Sequence, residues 1–363
     1  MSRAGFRRRL AAVSVSVTVA VLTAAGTLTP ALAATGPSMS VVGNNVYIAV
    51  QGPDNSLLAY WQAIGASGWN VETVAGPGTT FSAPSTVVNG NDVDIAAEGP
   101  DNSLLFYWAV NGSYTWNAET AADPGSTFSA PSMAVDGNSI DIAAEGGDDS
   151  LLFTYAIIGT GTWHPETAAG DLTSATAPSI TIAGNDIDIA AVGLIGTLGL
   201  WSQANGSSSW QFEYVDPEPF SAVSPPATAV NGNTIDVTCD EDGQLKFFWS
   251  VEGSSTWNAE TVSSTAFAAQ APIAVGQDTI NIATVGQQGQ LLFYWAIIGT
   301  GTWNPETVAG ENSTSSAPSI VSSSAADTIN VTAVSPGGQL DFYWQIDGTS
   351  GWNPETLPGS GLE

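Results

Sequence analysis

The chain has 363 residues, with 34 acidic and five basic side chains, one cysteine, one histidine and a formal net charge of −29. Four of the basic residues, Arg3, Arg7, Arg8 and Arg9, stand in an opening segment without acids, so beyond it Lys246 alone faces 34 carboxylates, a charge of about −33. Such a chain repels nucleic acid and anionic membrane, has no arginine left to clamp a phosphate or carboxylate, and cannot close an intrachain disulfide on Cys239.

The arginines are followed by an apolar run from Leu10 to Leu28 and by Ala31-Leu32-Ala33. This is the pattern of a secretory signal peptide with a small-residue cleavage site, cut after Ala33. Residues 1–34 are expected to be removed, leaving no membrane association and a secreted, extracellular domain over residues 35–363. Without disulfides, that domain must be held by packing, and its length allows a large core.

From residue 36 onward the sequence repeats. Trp69, Trp116, Trp163, Trp210, Trp257, Trp303 and Trp352 follow one another at intervals of 47, 47, 47, 47, 46 and 49 residues. They divide the chain into units of approximately 36–76, 77–123, 124–170, 171–217, 218–263, 264–310 and 311–363. In the second unit "APSTVVNG" (83–90), "NDVDIAAEG" (91–99), "DNSLLFYWAV" (101–110) and "TWNAETAA" (115–122) are each short and bounded by Gly, Asn, Asp or Pro, so each reads as a strand. Gly90-Asn91 and its counterparts supply the first turn, and Pro100-Asp101-Asn102 the second. No stretch has a useful helical period. The expected fold is all-β, a seven-bladed β-propeller of four-stranded antiparallel blades, with small residues such as "DIAA" inward and the aromatic strands at the wide rim. If the first strand of each unit were outermost in the preceding blade, residues 38–43 would latch the ring; if innermost, closure would rest on packing between faces.

Four columns of residues recur. Trp69, Trp116, Trp163 and their four counterparts enter the fourth strand, where they either fill the space between blades or form a stacking wall. Trp61, Trp108, Tyr155, Trp201, Trp249, Trp295 and Trp344 end the third strand and precede the first column by eight residues, or nine in the fourth unit. Glu72, Glu119, Glu166, Glu213, Glu260, Glu306 and Glu355 lie three residues after the fourth-strand Trp and so face the other way; a Glu there is solvated, accepts backbone N–H groups, or accepts ligand hydroxyls. Asp94, Asp141, Asp188 and Asp236, then Asn281 and Asn330, form the last column, in the second strand, where Asp is disfavoured and either bridges neighbouring elements or meets a ligand. Asp240-Glu241-Asp242-Gly243 occurs once and lacks the remaining oxygens of a calcium loop, so neither metal nor cofactor is expected. Around the single His164 no nucleophile–base set can be drawn.

The segment "VDIAAEGPDNSLLFYWAVNGSYTW" (93–116) is similar to the repeat of bacterial seven-bladed propeller lectins of the Photorhabdus type, and more distantly resembles six-bladed fucose-binding lectins of fungi. The resemblance covers all seven units. It implies multivalent sugar binding in clefts between adjacent blades; the reading is a non-enzymatic propeller for glycans or related polyhydroxylated ligands, with a protein-interaction or structural propeller without sugar sites, or a polysaccharide-active hydrolase or lyase, as the alternatives. Asp101-Asn102, Trp108 and Trp116 match its motifs. Where the fucose-binding proteins have an Arg and a Glu that hold sugar hydroxyls, this chain has Asp94 and Phe106, and the Arg that follows the second-strand alanine in the bacterial repeat is here Glu98 or Glu145. The fourth unit lacks the Asp-Asn turn. The candidate binding residues are therefore Trp61, Trp108, Tyr155, Trp249, Trp295 and Trp344, with Trp69, Trp116 and Trp163, and the turn residues Asp54, Asp101 and Asp148.

Overall fold

The computed structural model describes residues 36–362, apart from 217, 219–221, 266–269 and 325. The expected signal peptide lies outside the described residues. Within them, seven four-stranded antiparallel sheets form a propeller, each sheet taking its strands in sequence order. The first blade is β1 (Ser38–Val42), β2 (Asn45–Gly52), β3 (Ser56–Ala63) and β4 (Asn70–Ala75). No described helix is long and apolar enough to cross a membrane.

The first strand is the innermost. First strands of adjacent blades touch one another around the whole ring, including β1 against Ser319–Ser323 of the seventh blade. Each blade therefore consists of strands from a single unit, and no strand is exchanged to latch the ring. Packing between faces closes it: Met39, Val46, Ile48 and Tyr60 of blade 1 share one buried cluster with Val334, Leu340 and Phe342 of blade 7. The same kind of cluster fills the other joints, as where Ala143, Leu151 and Phe153 meet Ile180, Ile189 and Trp201. The second strand tolerates this crowding because it is built from Ile and Ala; Ile95, Ala96, Ala97, Ile142, Ala143 and Ala144 are all buried.

A column of serines stitches the inner strands. Met39 N–H donates to Ser319 Oγ at 3.0 Å across the closing joint, and Thr86, Met133, Ile180 and Thr228 N–H donate in the same way to Ser38, Ser85, Ser132 and Ser179. Blade 5 carries Ala227 at this place, and blade 6 carries Pro272, whose carbonyl accepts the Ala283 N–H. There Gln270 Nε2 donates to Pro226 O at 2.7 Å instead. Replacing Ser319 by Ala would leave the Met39 N–H without its acceptor, so Ser319→Ala is expected to cost about 1–2 kcal/mol, read as a lower urea midpoint. An unchanged midpoint would mean that water replaces the hydroxyl and that the stitch does not help to close the ring.

The two ends of the ring differ. In blade 2 strand one pairs Asn89 with Asp92 around a tight Gly90-Asn91 turn, with Gly90 at φ 61°, and strand two pairs Asp94 with Trp108 near that end. At the other end Pro100–Asn102 forms a single 3-10 turn with Asp101 and Asn102 both at φ 58°, a region that Asp and Asn enter more readily than most residues. This turn anchors the connector to the next blade, because Gly125 N–H donates to Asp101 O at 2.8 Å and Thr127 N–H to Asn102 O at 3.0 Å.

Candidate functional site

Clefts open between blades at the end that carries the Gly-Asn turns. The cleft between blades 2 and 3 has a volume of about 380 Å³, with Asp94, Phe106, Trp108 and Glu119 on one side and Ile140, Trp163 and the loop 157–161 on the other. Clefts of about 260, 310 and 330 Å³ occupy the joints 5–6, 4–5 and 7–1.

Strand alternation builds the aromatic wall. Phe106 and Trp108 are two residues apart, so they share a face and stack at 5.7 Å and 23°. Trp163 reaches over from the next blade and meets Phe106 edge-on at 5.0 Å. Phe247 repeats both contacts, with Trp249 at 5.6 Å and Trp303 at 5.3 Å.

The Glu column joins blades to one another. Because Glu points to the face opposite its own Trp, it meets the Trp of the following blade. Trp116 Nε1 donates to Glu72 Oε2 at 2.9 Å, Trp163 to Glu119 at 3.0 Å, Trp257 to Glu213 at 2.9 Å, Trp303 to Glu260 at 3.1 Å, Trp352 to Glu306 at 3.2 Å, and Trp69 to Glu355 at 3.0 Å. The joint between blades 3 and 4 differs, since Trp210 Nε1 is buried without a partner. The fourth-strand Trp is thus half-buried joint material with one edge on a cleft.

The Asp column forms the cleft floor. Asp94 and Asp236 are each 1% exposed. No well-formed hydrogen bond reaches either oxygen of Asp94, on which only the Asn89 side chain acts as a donor, and Oδ2 of Asp236 has no partner. Burial pushes the Asp94 carboxyl up to about 7; the Asp92 charge adds to this and the Asn89 side chain partly offsets it. Burial likewise raises Asp236 to about 7, against a small opposing effect of Thr234. Among the described residues no group of three or more His, Cys, Asp or Glu side chains could hold a metal ion.

The predicted residues separate into groups. Trp108 and Trp163 share one cleft and Trp249 lines its counterpart, while Trp344 lines the cleft at the closing joint. Trp69 packs at that joint against Phe342, edge-on at 5.1 Å. Trp61 stacks on Tyr47, which stands where other blades have Asp or Asn, and donates to Glu72 at 2.5 Å; Trp116 donates to the same Glu72. Trp295 is held by Glu306 at 2.9 Å, and Tyr155 stacks on the exposed His164. Asp54, Asp101 and Asp148 sit in the second turns, at the opposite end of their hairpins from these rings. Asp101 lies seven residues from Asp94 along one hairpin, roughly 20 Å of extended strand, so it does not share a cleft with Trp108.

One column is corrected. Trp201 pairs with Ile189, as Tyr107 pairs with Ile95, and Ser202 pairs with Asp188 where Trp108 pairs with Asp94. Trp201 therefore faces the other joint, and the interval of nine residues in the fourth unit is the sequence sign of that change of face. Asp94 and Glu119, for which contact with a ligand was one reading of their columns, line the cleft, whereas the loop 157–161 was not among the candidate residues; the signal that could have added it is the octapeptide "AIIGTGTW", which occurs at 156–163 and again at 296–303.

No protein-family model and no curated protein matches this chain. Solved structures of lectins and of a prolyl endopeptidase share its fold. The structure of the BP39L lectin from Burkholderia pseudomallei matches with a TM-score of 0.81 at 20% identity, over 90% of this chain and 99% of that one. The Aleuria aurantia lectin in complex with Fucα1-6GlcNAc matches with 0.54 at 12% identity, over 78% and 97%. A prolyl endopeptidase structure also matches, with 0.60 at 11% identity, over 92% of this chain and 51% of that one.

Proposed function

We propose that this chain is a secreted, non-enzymatic, carbohydrate-binding propeller that holds sugars or related polyhydroxylated ligands in clefts between its blades. The observation that carries this reading is the cleft itself, where half-buried indole rings offer apolar faces beside carboxyl oxygens without a well-formed hydrogen bond. A sugar ring has the complementary surface, an apolar face to lie on Trp108 or Trp249 and hydroxyls to donate to Asp94 or Asp236. The lectins among the similar folds support the reading. His164 is exposed and stacked on Tyr155, and burial pushes the Cys239 thiol up to about 12, so neither residue brings an activated nucleophile or its base to a cleft. Each cleft would bind weakly, and repetition around the ring would raise the avidity.

A glycan array probed with residues 35–363 in clustered form tests this. Binding to a defined set of glycans is expected, weakened at least about tenfold by Trp108→Ala together with Trp249→Ala, a loss of ~1.4 kcal/mol or more. Silence across the whole array at micromolar protein would overturn it.

A further inference from the structure

Two of the clefts are nearly the same site built twice. The joints 2–3 and 5–6 have matching floors and walls in Asp94 and Asp236, Phe106 and Phe247, Trp108 and Trp249, and Glu119 and Glu260. Each is faced by the same octapeptide, at 156–163 and 296–303. At the joint 1–2 Tyr47 takes the floor position, and blades 6 and 7 put the neutral Asn281 and Asn330 there.

Within this pair carboxyl oxygens stand free on both the floor and the wall. Under the cleft no well-formed hydrogen bond reaches either oxygen of Asp94, the Asn89 side chain being the one donor that acts on it. Glu119 gives Oε2 to Trp163, while its Oε1 comes so near Gly161 that a Cβ there would stand 3.3 Å from it; at Gly301 the distance to Glu260 Oε1 would be 2.8 Å. Glycine at these two positions, both in the left-handed region at φ 63° and 61°, leaves that second oxygen uncovered. The indole N–H groups of Trp108 and Trp249 take no acceptor among the described residues, unlike those of Trp61 and Trp295. Among the described residues no Lys or Arg faces these acids, and Lys246, the one basic residue beyond the first 34, donates to Thr261.

We propose that the clefts at the joints 2–3 and 5–6 are a matched pair of sites for amine-bearing sugars, such as the glucosamine units of a de-acetylated glycan. This rests on the carbohydrate-binding reading above and names the ligand class within it. A hydroxyl can satisfy one carboxyl oxygen, whereas an ammonium brings three donors and a charge to the two acids of one cleft. It is also attracted to the faces of the indole rings beside them. The acidic surface concentrates such a ligand near the protein and repels sulfated or carboxylated glycans.

Isothermal titration of the whole domain with a β-1,4-linked glucosamine oligomer and with its N-acetylated counterpart tests the proposal. Two sites per chain are expected, about tenfold or more in favour of the amine, a difference of ~1.4 kcal/mol. Asp94→Asn with Asp236→Asn should abolish that preference, and the variant should fold because Asn281 and Asn330 already occupy the same strand position. Asp123→Asn with Asp171→Asn removes the same charge from exposed positions outside the clefts and should keep it. Equal affinity for both oligomers, or binding of only other glycans on the array, would overturn the amine preference and leave the carbohydrate reading standing. A preference that survives in the cleft variant, or is lost in both variants, would reduce it to bulk charge attraction and overturn it. Silence towards both oligomers and the whole array would overturn the carbohydrate reading as well.

Discussion

Raising the pH from 5 to 8 is expected to lower the melting temperature of this protein by on the order of 10 °C. The cause is a set of carboxyls that the fold buries, of which only Glu241 has a cation, Lys246, acting on it. Desolvation pushes Asp94, Asp141 and Asp236 up to about 7 and Asp188 to about 6, from 3.8. Burial also raises Glu98 and Glu145 to about 7 and Glu241 to about 8, from 4.5. Between about 4 and about 7 the folded chain thus binds more protons than the unfolded chain, and stability falls as pH rises through that window. Below the unfolded values the contribution is fully present; above the folded values it is gone. Between pH 5 and about 7 the upper limit for one such Asp is ~3 kcal/mol, and partial relaxation of the four aspartates to about a quarter of that still sums to ~3 kcal/mol. At roughly 2–4 °C per kcal/mol for a domain of this size, that gives the stated shift. Calorimetry across the pH range checks it, and a melting temperature that is level or rises towards pH 8 would contradict the buried, uncompensated state of these acids. Asp94→Asn should raise stability at pH 8 and flatten the profile, because the amide cannot ionise.

Much of this fold was legible because Trp recurs with a near-constant period and each unit carries four strand-like segments. The wedge could be read from "DIAA" against "LLFYW". Which strand lies innermost could not, because both ends of a four-stranded unit meet neighbours and only three-dimensional closure distinguishes them; the serines of "APS" at 83–85, 130–132 and 317–319 then became the stitches of the inner ring. Strand alternation correctly put Trp116 and Glu119 on opposite faces. It could not show that opposite faces of consecutive blades meet, so that Glu119 receives Trp163. The candidate site was legible in its rings and less so in its acids. Asp101 drew attention through its turn motif, yet pairing of the hairpin carries it to the far end, whereas Asp94 sits opposite Trp108 by register. The Asp-for-Arg exchange in the second strand was visible in the sequence, but that it leaves a buried carboxyl without a well-formed hydrogen bond required the structure.

Glu72→Ala is expected to destabilise the ring by about 2–4 kcal/mol, whereas Glu166→Ala should stay within about 0.5 kcal/mol of the parent. The two residues hold the same place in their blades. Glu72 is 8% exposed and takes two indole N–H groups, from Trp61 of its own blade at 2.5 Å and from Trp116 of the next at 2.9 Å. Removing it strands two donors in an apolar joint. At Glu166 no such bond exists, and the facing Trp210 already has its N–H buried without a partner. Glu72→Gln should fall between, since its one carbonyl oxygen can serve one indole well and its amide donors face other donors. Urea unfolding followed by Trp fluorescence measures all three. Equal midpoints for Glu72→Ala and Glu166→Ala would show that the Trp–Glu bonds add nothing beyond the apolar packing of the joints. The expected order, with Glu72→Ala lowest, would assign the acidic column to ring assembly. It would also mark the joint between blades 3 and 4 as the place where the ring is least securely tied, since this joint keeps the inner serine stitch from Ser132 to Ile180 but lacks the outer bond.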